Sequence, residues 1–427
     1  MRKYKKVFLL IIMFAFSVAL IACSGSETEE PTTNTTETPT TEAPTTEAPT
    51  TEVLGQTLIA DIEEAVELSV VDTHRQNTIF LDGDQVFTKG DNRVGELGDG
   101  TFESKDVFVD ITNQFNLDAN DEIISVRLGE FHGLALSQNG RIFTWGHNSY
   151  GKLGIPTSTN QNQPVDITDN FELEDDERII YIVAGRDNNA VMTNYGRVFT
   201  FGVNSYGQLG NGEQNNPWEE TIYLPQDITH GFNLVNDYII KIELGNNHSM
   251  ALSKNGQVFA WGYNDLGQLG TDDEQVWSPI NITDIFDLSD DLIIDVEVGY
   301  NHSGILSESG RVFVFGDNSL GQLGIGSQPT NASTPIEITN EFESGGDIYK
   351  LRFSHESSAV IGENYTYVFG YNVYGQLGLG NQDIVNTPSV LDDSVYADKP
   401  IKDMFIAKET FTIVFEDDTI NSVDLYE

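Results

Sequence analysis

His248-Ser249-Met250-Ala251-Leu252-Ser253-Lys254-Asn255-Gly256-Gln257-Val258-Phe259-Ala260-Trp261 continues through Gly262-Tyr263-Asn264-Asp265-Leu266 into Gly267-Gln268-Leu269-Gly270. Two short stretches with strand character flank Asn255-Gly256. That dipeptide is a strong hairpin signal, because both central positions of a type I′ turn need positive φ. The closing phrase occurs six times along the chain: as Gly95-Glu96-Leu97-Gly98, as Gly151-Lys152-Leu153-Gly154, and unchanged from Gly207, Gly267, Gly321 and Gly375. The equivalent glycines Gly90, Gly146, Gly202, Gly262, Gly316 and Gly370 stand 56, 56, 60, 54 and 54 residues apart. Recurrence at that pitch marks one supersecondary unit repeated along the chain.

The unit around His132 reads as four strands, at 122–128, 132–137, 141–145 and 163–168, with Pro164 confining the last to an edge or a strand start. Four short antiparallel strands joined to the next unit by a glycine-rich link describe a β-propeller blade. Stepping 54 residues beyond Gly370 reaches Asp424, and residues 412–420 align with the preceding hairpin, so a seventh unit stops three residues before Glu427. The expectation is an all-β, seven-bladed propeller of four-stranded antiparallel blades over residues 53–427. Residues 53–62 are expected to supply the missing strand and close the ring, removing two open sheet edges.

The N-terminus has a different character. Met1-Arg2-Lys3-Tyr4-Lys5-Lys6 precedes an apolar run over residues 7–16 and then Leu20-Ile21-Ala22-Cys23. A basic start and a short apolar core describe a secretory signal over residues 1–22. Leu-x-Ala-Cys resembles the bacterial lipobox, which implies a diacylated Cys23 as the new N-terminus; Cys23 is the sole cysteine. The alternatives are an ordinary signal peptide with a chance cysteine, or a retained N-terminal anchor. Two fatty chains suffice for stable anchoring. Residues 23–52 are mostly Thr, Pro and Glu, too polar to offset ordering entropy, and read as a disordered stalk. These features place the protein on the outer face of a bacterial cytoplasmic membrane. The formal charge of −45, four units more negative without Arg2, Lys3, Lys5 and Lys6, excludes the basic footprint that nucleic-acid binding needs.

A His-x-x-Ala-Leu strand, a glycine turn and Trp-Gly-x-Asn-x-x-Gly-Gln-Leu-Gly together resemble the repeats of the regulator of chromosome condensation family. The resemblance implies a seven-bladed propeller. The founder's action on a nuclear GTPase and on chromatin does not fit an exported acidic chain, so neither partner is expected. Secreted bacterial propellers of this type act as interaction modules, and some inhibit β-lactamases. The chain departs from the family pattern in its links. Asp110-Ile111-Thr112-Asn113-Gln114-Phe115 and its later copies pair Ile-Thr and Phe with acidic residues such as those at 172–177. Ile and Phe are expected to pack the blade margin while the carboxylates face solvent. Weak calcium binding is the alternative, without any Asp-x-Asp-x-Asp-Gly loop to support it.

Aligning the units puts Gln76, His132, Asn188, His248, His302 and Glu356 at one strand position. A repeated hydrogen bond to the neighbouring blade explains them better than a polar binding ring, and Gln and Asn do not suit a metal. Trp145, Phe201, Trp261, Phe315 and Phe369 are expected in the core, with Leu97, Leu153, Leu209, Leu269, Leu323 and Leu377 between blades. Variation is concentrated at His147, Val203, Tyr263, Asp317 and Tyr371, and at Tyr150, Tyr206, Leu266, Leu320 and Tyr374. Tyr is enriched at interface hot spots. Tyr150, Tyr206, Tyr263, Tyr371 and Tyr374 are therefore the candidate partner-binding rim. No catalytic motif, metal site or cofactor site is found. The reading is a monomeric, lipid-anchored module that binds an extracellular protein or glycan. The alternatives are an inhibitor of an extracellular enzyme and, behind it, an enzyme acting on polysaccharide.

Overall fold

In a computed structural model of the protein, residues 71–424 are described except 75, 215–222, 343–345, 392–400, 407–409 and 416–419. All belong to the compact unit Pro49–Glu427. The signal segment, Cys23, the stalk and the expected closing segment 53–62 lie outside the described residues.

The described chain forms seven antiparallel sheets, six of four strands and one of three, each with its strands in chain order. Their first strands are Val71–His74, Ile123–Leu128, Ile179–Ala184, Ile239–Leu244, Ile293–Val298, Ile348–Ser354 and Ile401–Ile406. Each lies beside the first strand of the next sheet, and Ile401–Ile406 also lies beside Val71–His74. The first strands are therefore innermost and the fourth strands form the outer edges. Proline sits in the outer strands Gln161–Asp166, Gln275–Asn281, Asn331–Glu337 and Val385–Val390, where its missing N–H faces no partner strand. The seventh sheet, Ile401–Ile406, Thr410–Phe415 and Ile420–Asp424, pairs Thr410 with Asp424 as His132 pairs with Gly146. The 54-residue step thus lands in register.

Two local expectations are corrected. Of the Asn139-Gly140 pair only the glycine has positive φ, at 82°, and Gly140 N–H donates to Ser137 O. The turn is a type I turn followed by a left-handed glycine rather than type I′; Gly256 and Gly310 repeat it. The fourth strand of the second sheet ends at Asp166, because Thr168–Phe171 forms a 3-10 turn. There Asp166 Oδ1 accepts from Thr168 N–H and hydroxyl, while Thr168 Oγ1 accepts from Ile142 N–H. The same lock recurs at Asp110-Thr112, Asp227-Thr229 and Asn281-Thr283. The repeated acidic or amide residue thus serves as a turn cap.

The core lies between sheets. Phe115, Phe171, Phe232 and Phe286, all buried, leave their 3-10 turns to meet third-strand aromatics of the following sheet. Phe115 packs on Phe143 and Trp145 at 5.3 and 5.9 Å, and Phe232 on Phe259 and Trp261 at 5.2 and 5.7 Å. Removing one such ring would cost about 3–5 kcal/mol. The link carries the blade-to-blade packing, as its Ile-Thr-x-x-Phe pattern suggested.

Candidate functional site

The repeated phrase is scaffold. The Asn of each unit (Asn92, Asn148, Asn204, Asn264, Asn318, Asn372) accepts the N–H of the leucine five residues on, and all six leucines are buried. The final glycine seats the aromatic of the next sheet: a Cβ on Gly98 would stand 3.0 Å from Trp145, and one on Gly210 2.8 Å from Trp261. Both indoles donate across the same seam, Trp145 to Glu96 O and Trp261 to Gln208 O.

The histidines also belong to the frame. His132 Nε2 lies 2.7 Å from Asn189 Oδ1, and His248 and His302 Nε2 lie 2.9 Å from Ser303 and Ser358 Oγ, each in the following sheet. Asn189 donates to Lys152 O, and the serines donate to Gln268 O and Gln322 O, so each histidine must donate from Nε2. Burial holds all three neutral, at about 4, 3 and 3. The expected membership is off by one at two places. Gly90 and Gly370 pack against the Cα of Asn77 and Ser357 as Gly146 packs against His132, so Asn77 and Ser357 hold this position and Gln76 and Glu356 precede it.

In a sheet of consecutive antiparallel strands, the turns after strands one and three emerge at the same end. His147 N–H accordingly donates to Phe131 O, and Lys152 pairs with Asp187. The inner turns meet over the axis. Arg186 Nε lies 2.5 Å from Glu130 Oε2, its Nη1 donates to Asn246 Oδ1 at 2.9 Å, and its guanidinium lies 6.0 Å from the Tyr300 ring. Tyr300 lies 4.4 Å from the His355 ring, itself 4.8 Å from His74. Below them the innermost strands carry an ionic network that sequence reasoning missed. Lys241 Nζ stands 2.7 Å from both Asp295 Oδ1 and Glu297 Oε1, and Arg352 bridges Glu297 and Asp403 at 2.6 and 2.7 Å. Burial and then the charge on Glu297 push Glu243 up to about 7. Against burial, Asp295, Glu297 and Glu243 hold Lys241 well above its ordinary value. Carboxylates therefore do face one another near the axis, but cations engage them.

The second sheet places Ser149 Oγ 2.9 Å from His147 Nε2, a nucleophile–base contact in outline. His147 Nδ1, however, faces Lys152 Nζ at 3.4 Å. An ammonium there makes Nδ1 the acceptor and leaves the proton on Nε2, the wrong tautomer for taking the proton of Ser149.

Of the five rim tyrosines, Tyr206 and Tyr263 come together across the third and fourth sheets, with ring centroids 4.7 Å apart and planes tilted by 60°. Tyr371 and Tyr374 meet within the sixth sheet at 6.0 Å. Tyr150 lies half-buried in the turn Ser149–Gly151 with φ of 65°. Trp277, exposed by 44%, was missed. It lies over Gly207, where a Cβ would come within 2.6 Å of its ring, while Asn162, Ser333 and Asn386 hold that place over Gly95, Gly267 and Gly321. The signal was available: a tryptophan at a position that is Asn or Ser over Gly95, Gly267 and Gly321. The Tyr263 hydroxyl donates to Asp265 Oδ2 at 2.6 Å, and this bond, with burial, raises it to about 12. The loop-bearing end thus carries an exposed aromatic patch of Tyr206, Tyr263 and Trp277.

Residues 33–410 match the family described as RCC1-like domain. The probable E3 ubiquitin-protein ligase HERC4 of Homo sapiens is 32% identical over 219 residues, 51% of this chain and 19% of that protein. The ultraviolet-B receptor UVR8 of Arabidopsis thaliana is 29% identical over 243 residues, 57% of this chain and 51% of that protein. The aligned part is therefore about a fifth of HERC4 and half of UVR8. Among solved structures, yeast RCC1 (Prp20) bound to Kap60 superposes with a TM-score of 0.68 at 20% identity, covering 84% of this chain and 80% of that one. Human WBSCR16 superposes at 0.66 with 20% identity, covering 80% and 85%. These likenesses concern the fold.

Proposed function

Since the chain belongs to the RCC1-like domain family, we propose that its propeller is an interaction module that binds an extracellular protein or glycan through the loop-bearing end. The supporting observation is the Tyr206–Tyr263 pair, with Tyr206 exposed by 38%, on a frame whose repeated residues are all committed to turns and packing. In this reading the lipid on Cys23 and the stalk at 23–52 hold the module off a bacterial membrane, and the propeller has no catalytic role. Ligase activity, named for a relative of which this chain matches a fifth, is not carried over.

Cross-linking on intact cells should trap the partner. Alanine at Tyr150, Tyr206 and Tyr374 together should abolish capture and leave the fold intact; retained capture would refute the assignment of the face. One stoichiometric enzyme in the captured fraction would favour inhibition over general adhesion. Turnover of a polysaccharide by the purified protein would overturn the non-catalytic reading.

A further inference from the structure

We infer that the patch formed by Tyr206, Tyr263 and Trp277 takes a cationic segment of a protein partner, with arginine or lysine side chains against the rings. The inference rests on the interaction-module reading and deepens it. Tyr206 and Tyr263 are in contact, tilted by 60° at 4.7 Å, so their outward faces point in different directions and do not form one flat plate. A pyranose stacks best on a flat plate; a compact cation is attracted by each face it approaches. Trp277, 44% exposed over Gly207, extends the patch towards the outer strand.

The surroundings supply the complementary charge. Asp265 holds the Tyr263 hydroxyl at 2.6 Å. Tyr263 pairs in the ladder with Gln275, next to the exposed Glu274, and Asp272 and Asp273 precede it on the same loop. On the facing loop Glu213 is exposed beside Gly212, whose N–H donates to Trp277 O. Residues 203–214 and 263–277 contain five carboxylates and no lysine or arginine. Acidity is general on this chain, with a formal charge of −45; what distinguishes this place is exposed ring faces among carboxylates without a competing internal cation. Tyr365, exposed by 37% in the turn between Ser357–Gly362 and Thr366–Gly370 at the opposite end, is the internal control.

The test titrates the full-length protein by calorimetry at two salt concentrations. The probes are an acetylated (Arg-Gly)4 peptide, its citrulline counterpart and a neutral gluco-oligosaccharide. Expected is binding of the arginine peptide, with loss of most affinity for the citrulline form. Tyr206→Ala with Trp277→Ala should weaken the arginine peptide about tenfold, while Tyr365→Ala leaves it unchanged. Tyr206, Trp277 and Tyr365 are all exposed, and an unaltered melting temperature verifies folding. Equal weakening by the double variant and by Tyr365→Ala, or none by either, would show diffuse charge attraction and overturn the inference. Oligosaccharide binding that depends on Trp277, without peptide binding, would also overturn it and leave the module reading standing as a glycan binder. A cell-surface cross-link that never forms removes the module reading itself.

Discussion

Asn188 occupies the place that His132, His248 and His302 hold in other sheets, and it is fully buried with neither side-chain polar atom hydrogen-bonded. The site is otherwise prepared for imidazole. Gly185 is retained where Gly129 and Gly299 leave room for a ring, a Cβ at either of those two coming within 2.0 Å of histidine Cε1. The acceptor is also present: Ser249 Oγ donates to Gln208 O at 3.0 Å, as Ser303 and Ser358 do to their glutamine carbonyls, and can accept from an Nε2–H. Asn188→His should therefore stabilise the fold. Relieving an unpaired buried amide is worth about 1–3 kcal/mol, and the new hydrogen bond adds about 1. The bare Nδ1, unpaired as in the other three, returns part of that. The net is about 1–3 kcal/mol, equivalent to about 0.5 M in urea midpoint for a protein of this size. Equilibrium urea unfolding at pH 7.5 reads it, and at pH 5 the gain should shrink, since a further histidine must then stay neutral. A midpoint unchanged or lowered at pH 7.5 would refute the inter-blade role assigned to these histidines.

Acid should weaken the fold on the same grounds. His132, His248 and His302 are held by burial far below their ordinary 6.5, so the unfolded chain takes up their protons first. Their contribution is complete above pH 6.5 and is lost as pH falls towards about 4, at about 1.4 kcal/mol per pH unit each. Glu243, raised to about 7, has the opposite sign: its contribution is present below pH 4.5 and is lost as pH rises through 7. Glu243→Gln should thus raise the urea midpoint at pH 8 and steepen the acid loss between pH 6.5 and 4.5; an unchanged profile would contradict the axial network. Lys241→Ala leaves Asp295 and Glu297 without the ammonium that stands 2.7 Å from each, and should lower stability by about 3–5 kcal/mol in thermal or urea unfolding. A variant melting as the parent would mean that these carboxylates are hydrated. Deleting residues 53–62 should lower the melting temperature sharply if they complete the seventh sheet, and an unaffected melt would remove that role.

The architecture was legible because it rests on features that repeat. A buried leucine, an aromatic against a glycine and an asparagine capping its own loop must recur wherever blades meet, so spacing alone gave seven units and the register to Asp424. What failed was local or non-periodic. Asn139-Gly140 carries the hairpin signal for either turn type, and the backbone chose the one with a single positive φ. Gln76 and Glu356 stand 14 residues before Gly90 and Gly370, as His132 stands before Gly146, but the hairpins of those two sheets are one residue shorter, so Asn77 and Ser357 face the glycine instead. The axial ions escaped detection because Lys241, Asp295 and Arg352 are some 55 residues apart in sequence and are joined only when their strands become neighbours.

The same topology explains where novelty can accumulate. The end carrying the turns after strands two and four is tied down by the Asp-Thr locks, and Arg141, Arg197 and Arg311 bind the outer-strand carboxylates Asp166, Asp227 and Glu337 there. Substitution at that end disturbs a cap or an ion pair in nearly every unit. At the other end the frame residues reach inward, and the side chains of Tyr206 and Tyr263 meet each other and Asp265, outside the repeated Asn and Leu, so the identity of the rim residues is free to differ from unit to unit. Val203 and Tyr263 occupy equivalent places, as do Leu266 and Tyr206; the strand before Val203 ends at Gly202, whereas its counterpart runs on through Tyr263. A propeller built this way keeps its fold while one sector of one end specialises. The sector between the third and fourth sheets, where Tyr206 meets Tyr263 near an exposed tryptophan whose place is Asn or Ser over Gly95, Gly267 and Gly321, has diverged in that manner.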